Sequence, residues 1–351
     1  MRLQLVTLLV LAASPAAAQE IEPGEGDATS RVLLYSDDDA TTVTTAAVDA
    51  QTGLLRNVVV GAHVLVDSVS TASVDVVSAA TERWEEDRVE LGARIRGRVA
   101  ETSVSIGFTR SQENDWLSNA VSISASRDLF RRNTVVSGSY GVVFNTVGRA
   151  SDPTFEQSLD GHTVAFSVSQ LLDRKTRVGG SYTGQYLSGY MASPYRYVSA
   201  TDGSRGPERH PDSRLRHALT GTAVRSLTGF LSGRASYRLY VDNWGVRSHA
   251  ATLGLVSEFG GRWSAGVDGR VYLQNQANFY RETYPTSLRN MTADRELSTF
   301  WDAGGSGRLA VRIGPIDADA KIGAIYYRFN NFLKLRERTA LIASGGLRVA
   351  W

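Results

Sequence analysis

Cysteine is absent from the 351 residues. That absence excludes disulfide staples, thiolate metal sites and a cysteine nucleophile. After the first residues, no stretch approaches the ~18 consecutive apolar residues of a transmembrane helix. If the mature chain sits in a membrane, it sits there as a barrel. Charge of one sign is lacking too. The net charge is +2, and removing Arg2 with residues 1–18 leaves +1, which predicts no bulk attraction to nucleic acid. Proline is scarce, 8 residues against 33 glycines, while Ser, Thr, Val and Arg are abundant.

The start, MRLQLVTLLVLAASPAAAQE, joins Arg2 to an apolar run from Leu3 to Ala12 and a small-residue exit. Ala16 and Ala18 fit an A-x-A cleavage site, so residues 1–18 read as a signal peptide. A short periplasmic segment, 19–29, and a barrel over 30–351 are expected to follow. The run is too short to span a bilayer, and no cysteine is present to receive a lipoprotein anchor.

What the rest of the chain has is period-two alternation. In RVELGARIRGRV, Val89, Leu91, Ala93, Ile95 and Val99 share one face, and Arg88, Glu90, Arg94, Arg96 and Arg98 share the other. The same alternation sets Leu231, Ala235, Tyr237, Leu239 and Val241 against Arg234, Ser236, Arg238, Tyr240 and Asp242. It recurs over 57–67, over 263–274 with Asp268 and Arg270 on the polar side, and over 341–351. Helical spacing would scatter these arginines around a cylinder. The polar faces carry full charges, and no amphipathic helix is left over to cover the apolar ones. Lipid is the simplest cover.

Connection lengths agree. Every second gap is short, at about Ala100, 128–132, 173–175, 226–229, 259–261 and 314–316. The alternate gaps include long ones, at about 68–87, 148–158, 193–213, 279–296 and 330–338. Outer-membrane barrels pair tight periplasmic turns with longer outside loops. The pattern predicts an all-β, transmembrane antiparallel up-and-down barrel of sixteen strands, counting a first hairpin through Ser36–Ala40, or fourteen without it. Both termini are then periplasmic and the location is the bacterial outer membrane. All six tryptophans fall near strand ends, where an aromatic girdle belongs. Trp351 closes the last apolar row and resembles the terminal signal read by the barrel assembly machinery. Outer-membrane lipid and lipopolysaccharide are the remaining expected partners.

Three stretches, SRVLLYSDDDATTV, AHVLVDSVSTASVDVVSAAT and RWEEDRVE, carry a family resemblance between Arg31 and Glu90. They are similar to the N-terminal part of a bacterial family, domain-of-unknown-function 3570. The D-x-x-S-x-A-S element at Asp67, Ser70, Ala72 and Ser73 is the most specific part. The resemblance implies an exported outer-membrane barrel and supplies no mechanism.

Catalytic constellations are thin. His63 and Asp67 lie four residues apart on one strand, roughly 13 Å, and no G-x-S-x-G elbow occurs. Asp37, Asp38 and Asp39 lack the spacing of a calcium loop and read as a solvated acidic turn. The loop from Ser193 to Arg214 reads as a flexible outside segment, with phosphate or partner contact as the functional alternative. No metal or cofactor is expected. The charge pattern with content is the inward row Arg88, Glu90, Arg94, Arg96 and Arg98, joined by Arg234, Arg238, Asp268, Arg270 and Arg308. It suits a passage that prefers anions or a wall held by ion pairs. The readings that follow are a pore for small, anionic solutes, then a plugged barrel serving as envelope scaffold, then an outer-membrane hydrolase.

Overall fold

A computed structural model describes residues 22–71 and 84–351. The expected signal peptide, and Ala72 and Ser73 of the quoted element, lie outside the described residues. Strands β1 to β9 are Gly26–Asp37, Thr41–Leu55, Val58–Thr71, Trp84–Val99, Thr102–Gln112, Trp116–Leu129, Thr134–Val147, Gln157–Leu171 and Thr176–Gly189. Two short strands follow, β10 (Tyr197–Ala200) and β11 (Arg205–Pro207). Next come β12 (Ser213–Ser226), β13 (Leu231–Asp242), β14 (Arg247–Phe259), β15 (Trp263–Gln274) and the short β16 (Thr283–Tyr284). The chain ends with β17 (Phe300–Ile313), β18 (Ile316–Phe329) and β19 (Glu337–Ala350).

All strands except β10, β11 and β16 form one closed barrel of sixteen, each pairing with its chain neighbour and β1 closing on β19. The larger of the two strand counts expected from the sequence is the observed one. β1 begins at Gly26, ahead of the expected boundary at residue 30. At the end that carries Gly26 and Trp351, turns of two to four residues join the strands. Such turns need left-handed backbone, supplied by Gly314 (φ 58°) in one and Asn57 (φ 66°) in another. The opposite end carries the long loops.

The alternation becomes two surfaces. Ile95, Leu253 and Ile322 point outward and stay 48%, 68% and 68% exposed. Their neighbours Arg94, Arg96 and Lys321 point into the lumen. A continuous outward belt of half-exposed Val, Leu, Ile and Phe is far larger than the apolar patches that water tolerates, and a bilayer is its natural solvent. Buried apolar clusters lie at the loop end, where Val147, Leu159 and Leu187 pack against Met191, Trp244 and Leu297.

The aromatic girdle is smaller than the sequence suggested. Trp263 and Trp351 face outward at the turn end, and Trp301 faces outward at the loop end against Tyr326. Trp116 instead turns inward onto the buried cluster and Trp244 is only 3% exposed inside it. The Trp84 side chain lies outside what is described.

Trp351 holds the seam. Its N–H donates to the Gly26 carbonyl at 2.9 Å, and Gly26 N–H donates to its carbonyl at 3.0 Å. A Cβ on Gly26 would sit 2.7 Å from the indole, so the glycine makes room for the ring. Trp351→Asp places a carboxylate on this apolar rim. It is expected to lower the yield of folded barrel, read as the heat-modifiable band on gels. Unchanged yield would show the seam indifferent to the ring.

Candidate functional site: a charged lumen under a lid of two loops

The barrel ladder sets the lumen charges opposite one another. Asp67 faces Arg88 across β3 and β4, and their side chains meet at 2.5 Å. Glu90, 6% exposed, meets His63 Nε2 at 3.0 Å. A Cβ at Gly92 would lie 2.1 Å from the His63 ring, so glycine is the socket that lets the imidazole lie along the wall. The same device recurs at Gly254, where a Cβ would lie 2.6 Å from both Arg234 and Asp268, which form an ion pair. Arg270 meets Asp302 at 2.8 Å, Arg308 meets Asp319 at 3.3 Å, and Lys321 reaches Asp268 at 3.9 Å. Arg98 donates to the Ala100 carbonyl at 3.1 Å and lies 3.5 Å from Asp128. Much of the predicted row is therefore ion-paired.

The exceptions stand on several strands around the barrel. Arg94 and Arg96 both donate to Gln51 Oε1, each at 3.4 Å, and neither meets a carboxylate among the described residues. Arg238 points into the lumen and makes no ion pair among the described residues, and Arg31 of β1 does the same. Arg216 of β12, which donates to Gln185 Oε1 at 3.0 Å, and Arg177 of β9 lie on the lumen parity too and make no ion pair among the described residues. Arg31 and Gln51 were not singled out in the sequence, although each lies on the lumen parity of its strand.

The lid consists of loops 190–212 and 275–299. They join through β10, which pairs with β11 and in parallel with β16. Between them sits a buried cluster around Glu208. Its carboxylate accepts from Ser193 N at 2.9 Å, from Arg196 at 3.3 Å and from the Thr292 hydroxyl, with His210 Nε2 at 3.3 Å. Burial alone would push the Glu208 carboxyl up, but Arg196 and His210 outweigh it and hold it well below the usual glutamate range. Arg196 also meets Asp294 at 2.8 Å. His210 packs edge-on against Trp244 at 5.0 Å. A cavity of about 30 Å³ remains, bordered by Trp116, Tyr190, Arg196 and His210.

Ties reach the wall on several sides. Tyr195 donates to Asp115 in the β5–β6 turn and accepts from Ala150 N at 2.7 Å. Tyr280 donates to the Asn331 carbonyl at 3.0 Å. Arg295, fully buried, pairs with Asp39 of the β1–β2 turn. Two expectations are corrected here. Asp37 and Asp39 are not solvated, since Asp37 accepts from Thr41 N at 2.9 Å and Asp39 is 5% exposed. The segment from Ser193 to Arg214 is not a free loop, because Arg196, Glu208 and Arg214 are buried. The acidic trio Glu86, Glu113 and Asp115 was missed; its carboxylate oxygens lie within 4.8 Å of one another at the loop end.

The fold and its faces define a sixteen-stranded barrel of the outer-membrane type. The family model described as "Protein of unknown function (DUF3570)" matches residues 78–159 and 156–313, and the chain belongs to that family. The match begins beyond most of the stretch that carried the resemblance in the sequence. No curated protein matches the chain. Among solved structures, a bacterial polysaccharide outer membrane secretin aligns with TM-score 0.55 at 9% identity, covering 92% of this chain and 98% of that one. CdiB from Acinetobacter baumannii aligns with TM-score 0.56 at 10% identity, covering 93% of this chain and 60% of that one. At these identities the likeness is one of fold.

Proposed function

We propose that the protein is an outer-membrane channel for small anionic solutes, with turns in the periplasm and the lid outside. The carrying observation is the set of lumen guanidiniums that meet no carboxylate among the described residues, Arg31, Arg94, Arg96, Arg177, Arg216 and Arg238. Low-dielectric walls focus the field of such charges on whatever passes. Their neighbours are mutually neutralised pairs, which contribute little net field.

The test is the reversal potential across a planar bilayer in a salt gradient. Anion preference is expected, and changing Arg94 and Arg96 to Gln should weaken it. The effect should be clear at 0.1 M salt and shrink at 1 M, as the screening length falls from ~10 to ~3 Å. Cation preference in the wild type, or no shift in the variant, contradicts the role of these arginines. The lid lowers wild-type conductance, so the same measurement is made on Arg295→Ala. Silence in both refutes the channel and leaves the plugged scaffold.

A further inference from the structure

The outward face carries a row of polar pairs that neither the lumen nor the lid explains. Tyr140 Oη lies 2.8 Å from His162 Nδ1, Tyr182 Oη 2.8 Å from His217 Nδ1, and Tyr237 Oη 2.6 Å from His249 Nδ1. Each pair uses one diagonal. The tyrosines oppose Val164, Leu219 and Ala251, and each histidine sits two residues nearer the loops. The preceding hairpin, β5–β6, has Arg110 opposite Asn119, with Nη1 donating to Oδ1 at 3.3 Å.

Register puts the row at one height. His162 lines up through Val142 with Val121, two residues below Asn119. His217 lines up through Gly184 with Val164, two residues below His162. His249 lines up through Leu239 with Leu219, two residues below His217. A constant stagger of this kind is how a tilted ladder keeps a row level. At the corresponding positions on either side stand Val89 and Ala303, so the row is confined to β5–β14. Glycine again makes room: a Cβ at Gly184, opposite His217, would lie 2.8 Å from the Tyr182 hydroxyl.

The chemistry is that of donors. With each tyrosine hydroxyl donating to Nδ1, the neutral imidazole keeps its proton on Nε2, and no described residue accepts from that N–H. Three such N–H groups and the Arg110 guanidinium line the loop-side edge of the apolar belt. The nearest outward carboxylate there, Asp160, lies two residues further toward the loops. A second copy of the chain would bring donors against donors. Headgroup phosphates of the surrounding leaflet bring acceptors to that depth.

We infer that this row docks the phosphate groups of leaflet lipids. If the loop end is external, as the channel reading holds, those lipids are the phosphorylated lipopolysaccharides of the outer leaflet. The test is native mass spectrometry of the full-length barrel in detergent, with diphosphorylated lipid A or its dephosphorylated counterpart added. Wild type should retain the phosphorylated lipid, should not retain the other, and should not release it to excess inorganic phosphate. The combined change His162→Phe, His217→Phe and His249→Phe should cut retention by at least about tenfold. Changing Tyr140, Tyr182 and Tyr237 to Phe, which frees the imidazoles, should cut it less. Unchanged retention in the histidine variant, equal retention of the dephosphorylated lipid, or displacement by phosphate overturns the inference. Should the combined variant fail to fold, the three single variants decide it, and unchanged retention in all of them overturns it. Surface labelling of Ser204→Cys on intact cells tests orientation separately. Its failure overturns the leaflet named, and silent conductance overturns only the channel.

Discussion

Arg295→Ala is expected to release the lid while leaving the barrel folded. Arg295 is fully buried, and its partner Asp39 is 2% exposed at the side chain. Breaking a buried pair by removing one member costs about 3–5 kcal/mol. A lid tied down by a few such contacts has little reserve against that loss. Trypsin should then cut faster within 275–299, at Arg281 or Arg289, and single-channel conductance should rise. Asp39→Asn should act in the same direction, because it removes the carboxylate charge that faces the buried guanidinium. Unchanged protease resistance in both variants would show that the apolar cluster holds the lid alone. Glu208 supplies a pH arm. Its carboxyl is held below the ordinary range in the lid, so its contribution is full above the usual glutamate pKa. It is lost only as pH falls through the lowered value. Protease resistance should stay flat from neutrality down to that range and drop in stronger acid. A lid that loosens between about pH 8 and 6 would contradict this role for Glu208.

The wall was legible in the chain because a strand fixes the face of each side chain by parity alone. Ile95 and Arg96 therefore fall where the alternation puts them, and short turns such as 314–315 punctuate the strands. Parity also held the information that position near a strand end did not. Trp116 is out of step with the outward Leu117, Val121 and Ile123 of its own strand, so its ring had to face inward. The lid left no such trace. Arg295 and Asp39 are 256 positions apart, and Glu208 and Thr292 are 84 apart. Neither loop has a periodicity that would announce burial, and their charged residues read as solvated until the partners are seen. The lumen pairs stand between these cases. Arg88 and Asp67 each fall on the polar face of their strand by parity, but only the register of β3 against β4 brings them into contact.

Ile95 and Arg96 give the sharpest separation the fold allows. Ile95 sits between Val60 and Ile106 on the outward face, and Arg96 between Val59 and Ser105 on the lumen side. The absence of native cysteine leaves a single thiol in each of Ile95→Cys and Arg96→Cys. In reconstituted vesicles, a lipid-dissolved thiol reagent should modify position 95 and leave 96 nearly untouched. A water-soluble reagent should do the reverse, since Arg96 lines the polar interior. Equal labelling at both positions by either reagent would refute the assignment of faces. The energetic counterpart is Ile95→Arg, which forces a guanidinium into hydrocarbon. At the bilayer midplane that costs ~2–4 kcal/mol, falling towards the interfaces, and it should appear as a lower denaturant midpoint for unfolding from vesicles. Arg96→Ile places an apolar side chain on a wet wall and should move the midpoint far less. If the two substitutions destabilise equally, the belt around Ile95 does not face lipid.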